Sequence, residues 1–600
     1  MSFPEKIFQT AGRFYIRREY AVVLFFVLVW QAVLLCSSNG RFIEIDSYTH
    51  ALRLTDFIRS GAWREIPYGH DNCPFGQNLH FTRITDMFLY LTTLPFLPFT
   101  ELKRAVLFGG FLYNPVIACL TGAALIWAGK SFFSPMLRAT GVLLYFVQGS
   151  VLSLFQAGRP DHHVLLNLLL IVLSGCLLYG VKTQKPAYYK TAGVFGGLAV
   201  WTSPEGFLTV LFLYAGMTAA WLFRQWDMRQ IRLFGQYFFI GTAVCLLVNP
   251  PLQGLFYPDN SRLSFLTVVV SGFAFLSFYS AEFLEREKGV RSFFGRPASL
   301  ALPALLFFGV VFLVYGEKTL FSWPIPPELR EIWSDYVSEL KPGYSGNIFN
   351  GPAVILFYIF LTEAFCVPFA EKQIRELLIT TGLPMFLFFV ITLISQRFGR
   401  PAGALTPFAF LLSVHVLARN ILEIPPRFLF TVKATVLFLL LGLYANSVRM
   451  SVVIQKKFER ITTNPAEYAA YVSQADGCVL TDINQGPETA WETGKAVVGS
   501  PYHTNARGIA DTHDIFNTTD PERFRSLLKE RNVQTVALLA SYYSDRKKTK
   551  QKDAGVPVFQ KILSNDVSFC FISPVSERTQ NVLIYRVDFT KCAPPQETKE

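Results

Sequence analysis

Three groups of ionisable residues stand where apolar runs end: Glu44-Ile45-Asp46, Arg159-Pro160-Asp161-His162-His163, and Tyr336-Val337-Ser338-Glu339-Leu340-Lys341-Pro342. Carboxylates and imidazoles at the edge of hydrocarbon are costly unless they bind a cation or carry out chemistry. Several of them gathered on one side of a bilayer imply a metal-dependent site. Asp46, a few residues past an apolar run, suits a metal ligand or a general base, although Asp before a mixed run is also an ordinary helix start. Asp161 and His163, two residues apart, can ligate one divalent ion while His162 turns elsewhere, and mixed oxygen and nitrogen ligands suit Mn²⁺ or Mg²⁺. A helix cap with solvated histidines is the alternative. Arg159 could balance a phosphate or simply be an interfacial cation. Glu339, in the longest loop between apolar runs, suits a lid over substrate, with a solvated loop carboxylate as the plain alternative.

The elements that must hold these groups are membrane helices. With 51% hydrophobic residues, 58 Phe and only 16% charged residues in 600, the chain is too apolar for a soluble multidomain protein. About thirteen windows are long enough to cross a hydrocarbon core, running from 21–37 through 105–128, 137–157, 163–182, 190–203 and onward to 351–370 and 428–448. The window near 86–100 is short and carries Pro95 and Pro98, so it reads as an interfacial or re-entrant helix. The net charge of +12 comes from Lys and Arg in short segments between apolar runs. That is the pattern of cytoplasmic loops and not of a nucleic-acid-binding surface. Orientation follows: the N-terminus lies in the cytoplasm, while the three ionisable groups and everything after about residue 450 lie outside. The predicted fold class is therefore membrane all-α with a C-terminal soluble α/β domain. A transmembrane catalytic domain spans 1–449, with outer loops at about 38–104 and 316–350, and the outer domain spans 450–600.

The C-terminal part is far more polar. An amphipathic helix around Pro521 to Arg531 precedes the strand Val533-Gln534-Thr535-Val536-Ala537-Leu538-Leu539, as a small α/β domain requires. Nine Cys show no CxxC or Cys/His ligand spacing, so no zinc framework is indicated. Cys570 and Cys592 could pair in an oxidising compartment or remain thiols. No GxxxxGK[ST] loop is present, which argues against an ATP-driven transporter.

Taken together the three groups resemble a family. A Glu-x-Asp after the first span, an Asp-x-His after the third, a Val-Ser-Glu element in a long outer loop and a soluble C-terminal domain resemble the GT-C glycosyltransferases. Oligosaccharyltransferase catalytic subunits and their archaeal and bacterial single-chain relatives are the most similar. Asp161-His162-His163 looks like the archaeal form and Tyr336–Pro342 like the eukaryotic Ser-Val-Ser-Glu-x-x-Pro. The resemblance implies that Asp46, Asp161 and His163 bind a divalent cation, Mn²⁺ or Mg²⁺, with Asp46, Asp161 and Glu339 as the catalytic carboxylates. It implies a polyprenyl phosphate or pyrophosphate sugar donor lying in the lipid bilayer, its phosphate held by Arg397, with Arg400 competing for that role and Arg159 nearby. The acceptor is left open between protein, glycan and lipid. Oligosaccharyltransferases carry Trp-Trp-Asp-Tyr-Gly to read an acceptor sequon, whereas the corresponding stretch here is Thr481-Asp482-Ile483-Asn484-Gln485-Gly486-Pro487-Glu488. The polar, aromatic stretch Ser500–Ile509 could line an acceptor groove or form a surface turn.

A secondary transporter or flippase of lipid-linked sugars is the competing function. Such proteins place ionisable residues near the midplane and repeat their halves, whereas here the acidic groups sit at span ends without a half-repeat. The expected location is a bacterial inner membrane, with the C-terminal domain in the periplasm.

Overall fold

A computed structural model of the chain describes residues 3–223, 226–287, 295–321, 325–337, 340, 352–421, 442, 445–456, 477–539, 556–575 and 582–592. Glu339, and most of the apolar window expected near 428–448, lie outside these described residues. The chain divides into two compact units, and neither is one run of sequence. The first takes residues 1–42, 81–322 and 339–457, and the second takes 43–80, 323–338 and 458–600.

The first unit is helical. Among the described residues nine helices are long and apolar enough to cross a membrane, beginning with Arg18–Ser37, Leu102–Gly129 and His162–Thr183 and ending with Lys372–Ile394 and Gln396–Arg419. The chain is thus a multi-pass membrane protein, while three expected windows come out short, the one at 190–203 as the 17-residue helix Pro186–Thr202. The window at 137–157 is split: Pro135–Val147 is a 13-residue helix, and Gln148 leaves it in extended geometry with ψ 130°. Pro352–Cys366 has 15 residues. The segment read as non-spanning forms an 11-residue helix, Arg83–Thr93, about 16 Å long at 1.5 Å per residue and well below the roughly 30 Å of a bilayer core.

In lipid the helices cannot be driven together by apolar burial alone, so small residues decide where backbones meet. Gly193 and Gly197 lie four apart on the helix Pro186–Thr202, which packs along Met228–Val248. A Cβ on Gly197 would come within 2.6 Å of the Gly241 carbonyl carbon, so any side chain there separates the pair.

The second unit carries a four-stranded sheet of β1 (Cys478–Leu480), β2 (Val533–Leu539), β3 (Ile572–Pro574) and β4 (Val582–Val587), in the order β1-β2-β4-β3. β1 and β2 run parallel, and the other two pairings are antiparallel. The sequence reading places β2 correctly, and the amphipathic helix ahead of it spans Pro521–Glu530 with Asp520 as its N-cap. That helix buries Phe524, Leu527 and Leu528 on one face, against a core that includes Phe559, Phe571 and Tyr585. Two disulfides brace the unit. Cys570–Cys592 resolves the open choice in favour of pairing. Cys73–Cys478, across 405 residues, had no spacing signal, and it ties the first-loop segment to β1. Arg531, fully buried, reinforces that tie by pairing with Asp511 at 2.7 Å and donating to Asn72 Oδ1 at 2.8 Å.

Candidate functional site

In the first unit the stretch 153–163 is built as a rigid platform at the start of an apolar helix. Asn114 is buried on the helix Leu102–Gly129, and its Nδ2 lies 3.2, 2.7 and 2.9 Å from the carbonyls of Leu154, Gln156 and Arg159. Gln455 brackets Ala157 from both sides, accepting from its N–H at 3.1 Å and donating to its carbonyl at 3.3 Å. Gly158 has a φ of +73°, and a Cβ there would sit 2.5 Å from the Arg41 carbonyl oxygen. Only glycine meets both demands without strain.

This platform delivers Asp161 as the N-cap of His162–Thr183, where Oδ1 accepts the His163 N–H at 3.2 Å. The capping alternative is therefore real, and it does not compete with ligation: it fixes the carboxylate at the helix start. Asp161, His162 and His163 are all buried, and one ligand atom from each lies within 4.8 Å of the others. His162 does not turn elsewhere, in contrast to the expectation. Its Nδ1 is 2.9 Å from Asp161 Oδ1 and its ring packs 4.1 Å from that of His163, with Phe81 on its other side at 5.5 Å. The Asp161 carboxylate and the rings of His163 and Phe81 are what His162 packs against. His163 Nδ1 is buried with no hydrogen-bond partner among the described residues, so it is available as a ligand atom. Arg159 is buried, donates to the Ser153 carbonyl at 2.5 Å, and pairs with Asp161 Oδ2 at 3.4 Å.

Arg397 lies in the 3₁₀ turn Gln396–Phe398, and Arg400 in the first turn of Gly399–Val416. Both arginines are close enough to His163 for their charges to act on its imidazole. Arg397 is ion-paired through Nε with Glu205, a buried carboxylate in the first turn of Pro204–Leu222. Sequence reasoning passed over Glu205 because Ser203-Pro204-Glu205 reads as a helix start and nothing more. Asn114 was missed as well, although an Asn-Pro pair inside an apolar window is a signal that could have found it.

In the second unit Asp46 occupies the first turn of the helix Ile45–Ser60, behind the N-cap Glu44. Its Oδ1 accepts a 3.0 Å hydrogen bond from the phenol of Tyr502, which also lies 2.7 Å from Thr49 Oγ1. Burial, then the Asp46 carboxylate, keeps the Tyr502 hydroxyl protonated well above its ordinary range, so it remains a donor. Tyr502 belongs to the stretch 500–509, and neighbouring rings flank it. His80 stands 5.8 Å from Tyr502 and 4.5 Å from His503, and Trp333 Nε1 donates to the Pro501 carbonyl at 2.8 Å. That stretch is therefore no surface turn, for Ser500, Pro501 and Tyr502 are all buried. Of the third group Tyr336, Val337 and Leu340 are described, and the Tyr336 carbonyl lies 3.4 Å from Asn484 Nδ2.

No protein-family model matches the chain, and neither does any curated protein. Solved structures do. The chain is similar to the archaeal oligosaccharyltransferase AglB from Archaeoglobus fulgidus in complex with an inhibitory peptide and a dolichol-phosphate. The TM-score is 0.67 and the identity 14%, over 88% of this chain and 71% of that one. The same enzyme tethered to an acceptor peptide containing the NVT sequon gives 0.68 at 14%, over 88% and 69%. Its complex with Zn and sulfate gives 0.63 at 13%, over 86% and 69%. At such identities the likeness is one of fold: the chain shares the fold of the archaeal oligosaccharyltransferase AglB.

Proposed function

We propose that this protein is a metal-dependent membrane glycosyltransferase. It moves a sugar or oligosaccharide from a polyprenyl phosphate or pyrophosphate donor to an acceptor outside the cytoplasm, in the manner of an oligosaccharyltransferase. The observation that carries the reading is the buried group Asp161, His162 and His163 at the head of a membrane-length helix. Burying a carboxylate and two imidazoles there is costly without an ion to hold. The AglB structures with dolichol-phosphate and with Zn and sulfate support the donor class and the metal.

In this reading Asp161 and His163 are ligands of a divalent cation, Mn²⁺ or Mg²⁺. The two nearby imidazoles favour Mn²⁺. When bound, such an ion offsets the charge that builds on a phosphate leaving group. Motif resemblance adds Asp46 to the ligands and Glu339 to the catalytic carboxylates. Arg397 and Arg400 meet the donor phosphate, and Arg159, paired with Asp161, steadies the carboxylate as well as adding positive charge. Tyr502 holds Asp46 in one orientation, and the rest of the 500–509 stretch serves the acceptor, whose identity is open.

The test uses the purified full chain with a polyprenyl-linked sugar and Mn²⁺. Lipid release is followed with and without chelator for the wild type, Asp46→Ala and Asp161→Ala. Release should require metal and fail in both variants. Unchanged release in both rejects the enzymatic reading, and flipping of the lipid in liposomes without bond cleavage selects a transporter.

A further inference from the structure

Glu205 has no place in the motifs that suggested the reaction, yet it is the carboxylate paired with the arginine proposed to meet the donor. It is 4% exposed at the second position of the helix Pro204–Leu222, and its Oε2 has no hydrogen-bond partner among the described residues. The helix start is pressed against the end of Pro186–Thr202. A Cβ on the next residue, Gly206, would run into the Ala199 carbonyl. That close approach fixes Glu205, and the positive end of the helix dipole favours its charge. Arg397 has a 24% exposed side chain on a short 3₁₀ turn, where a long side chain left alone would sample many rotamers. The Glu205 charge also interacts with His162, while those of Arg397 and Arg400 act on His163. A buried ion pair of this kind contributes little net stability, because desolvation offsets its attraction. What it can supply is position.

We propose that Glu205 is a positioning residue, holding the Arg397 guanidinium in a single place so that a polyprenyl phosphate meets an arginine already ordered. This rests on the reading of Arg397 as a donor-phosphate side chain. Pre-ordering of this sort acts on affinity by removing the rotamer cost from the binding step.

The test is binding of undecaprenyl phosphate to the purified full chain in detergent, with inorganic phosphate as a parallel probe that separates headgroup from lipid recognition. Arg397→Ala should weaken binding about tenfold or more, as loss of a charge-assisted pair does. Glu205→Ala should weaken it about tenfold, and Glu205→Asp should resemble Ala because the shortened side chain no longer reaches. Glu205→Gln keeps reach and a hydrogen-bond acceptor and should stay within about threefold of wild type. In the Arg397→Ala background Glu205→Ala should have no further effect. If Arg397→Ala binds normally, the underlying assignment of Arg397 fails. If Arg397→Ala binds weakly while Glu205→Ala binds normally or more tightly, or if Glu205→Ala costs the same without Arg397, the positioning role is overturned. An order in which Asp outperforms Gln overturns it too, since charge and not reach would then matter. That last comparison stands even where the alanine variant fails to fold.

Discussion

Replacing Tyr502 with Phe tests how the candidate carboxylate is aimed. The phenol donates to Asp46 Oδ1 at 3.0 Å and lies 2.7 Å from the fully buried Thr49 hydroxyl. Phe keeps the ring, so the packing beside His80 is retained and the change is confined to one oxygen. A hydrogen bond to a charged group contributes about 1.5–3 kcal/mol, and leaving the Thr49 hydroxyl without its partner adds a cost of about 1–3 kcal/mol. Thr49 sits within a helix and can turn its hydroxyl to a backbone carbonyl, so a total loss of about 2–4 kcal/mol in the stability of the second unit is expected. If the Asp46 bond is made fully in the transition state, its loss lowers kcat about 10- to 100-fold at 1.4 kcal/mol per factor of ten. Because the phenol stays protonated, the ratio of wild-type to variant kcat should be flat across neutral pH. The assay is release of the polyprenyl carrier at saturating Mn²⁺, with thermal melting run in parallel. A folded Tyr502→Phe protein that turns over within twofold of wild type, while Asp46→Asn is inactive, refutes the claim that Tyr502 orients Asp46.

Three further outcomes are expected. Asp71 is buried, accepts from Ser500 and Gln77 at 2.5 Å each, and is pushed by burial from 3.8 to about 7. The folded protein therefore keeps a proton that the unfolded chain has lost. Its contribution to stability, about 4 kcal/mol at 1.36 kcal/mol per pH unit, is complete below pH 3.8 and disappears as pH rises through about 7. Melting curves of wild type minus Asp71→Asn between pH 4 and 8 should trace that loss. Calorimetric titration with Mn²⁺ should find His163→Ala weakened by more than the roughly 10- to 100-fold expected for loss of an outer partner such as Arg159. Equal affinities in all three proteins would remove the metal centre. Finally, Cys478→Ser should lower the stability of the second unit by about 2–4 kcal/mol, read by melting and by the appearance of an alkylatable Cys73; an unchanged melting point would show that Arg531 and its neighbours suffice to hold the loop.

What could be read from the chain alone was what depends on near neighbours. Apolar runs reveal membrane helices because lipid selects composition over some twenty residues in a row. Helix Pro521–Glu530 and β2 were legible because their periodicity is local. Asp161 and His163 stood out because a helix start brings adjacent residues together whatever the rest of the chain does. The pairing of β1 with β2, the bond of Tyr502 to Asp46 across 456 residues, and the disulfide across 405 left no trace in spacing. Nor does spacing reveal what Asn114, Gln455 and Glu205 hold, even where, as with Asn114 beside Pro115, the residue itself stands out. Their partners are backbone groups of the non-helical 154–159 stretch or an arginine on a 3₁₀ turn, and a backbone group looks the same at every position in a sequence. Tertiary structure alone decided them, because the cost of burying a polar group is cancelled only by the particular atom that packing sets opposite it.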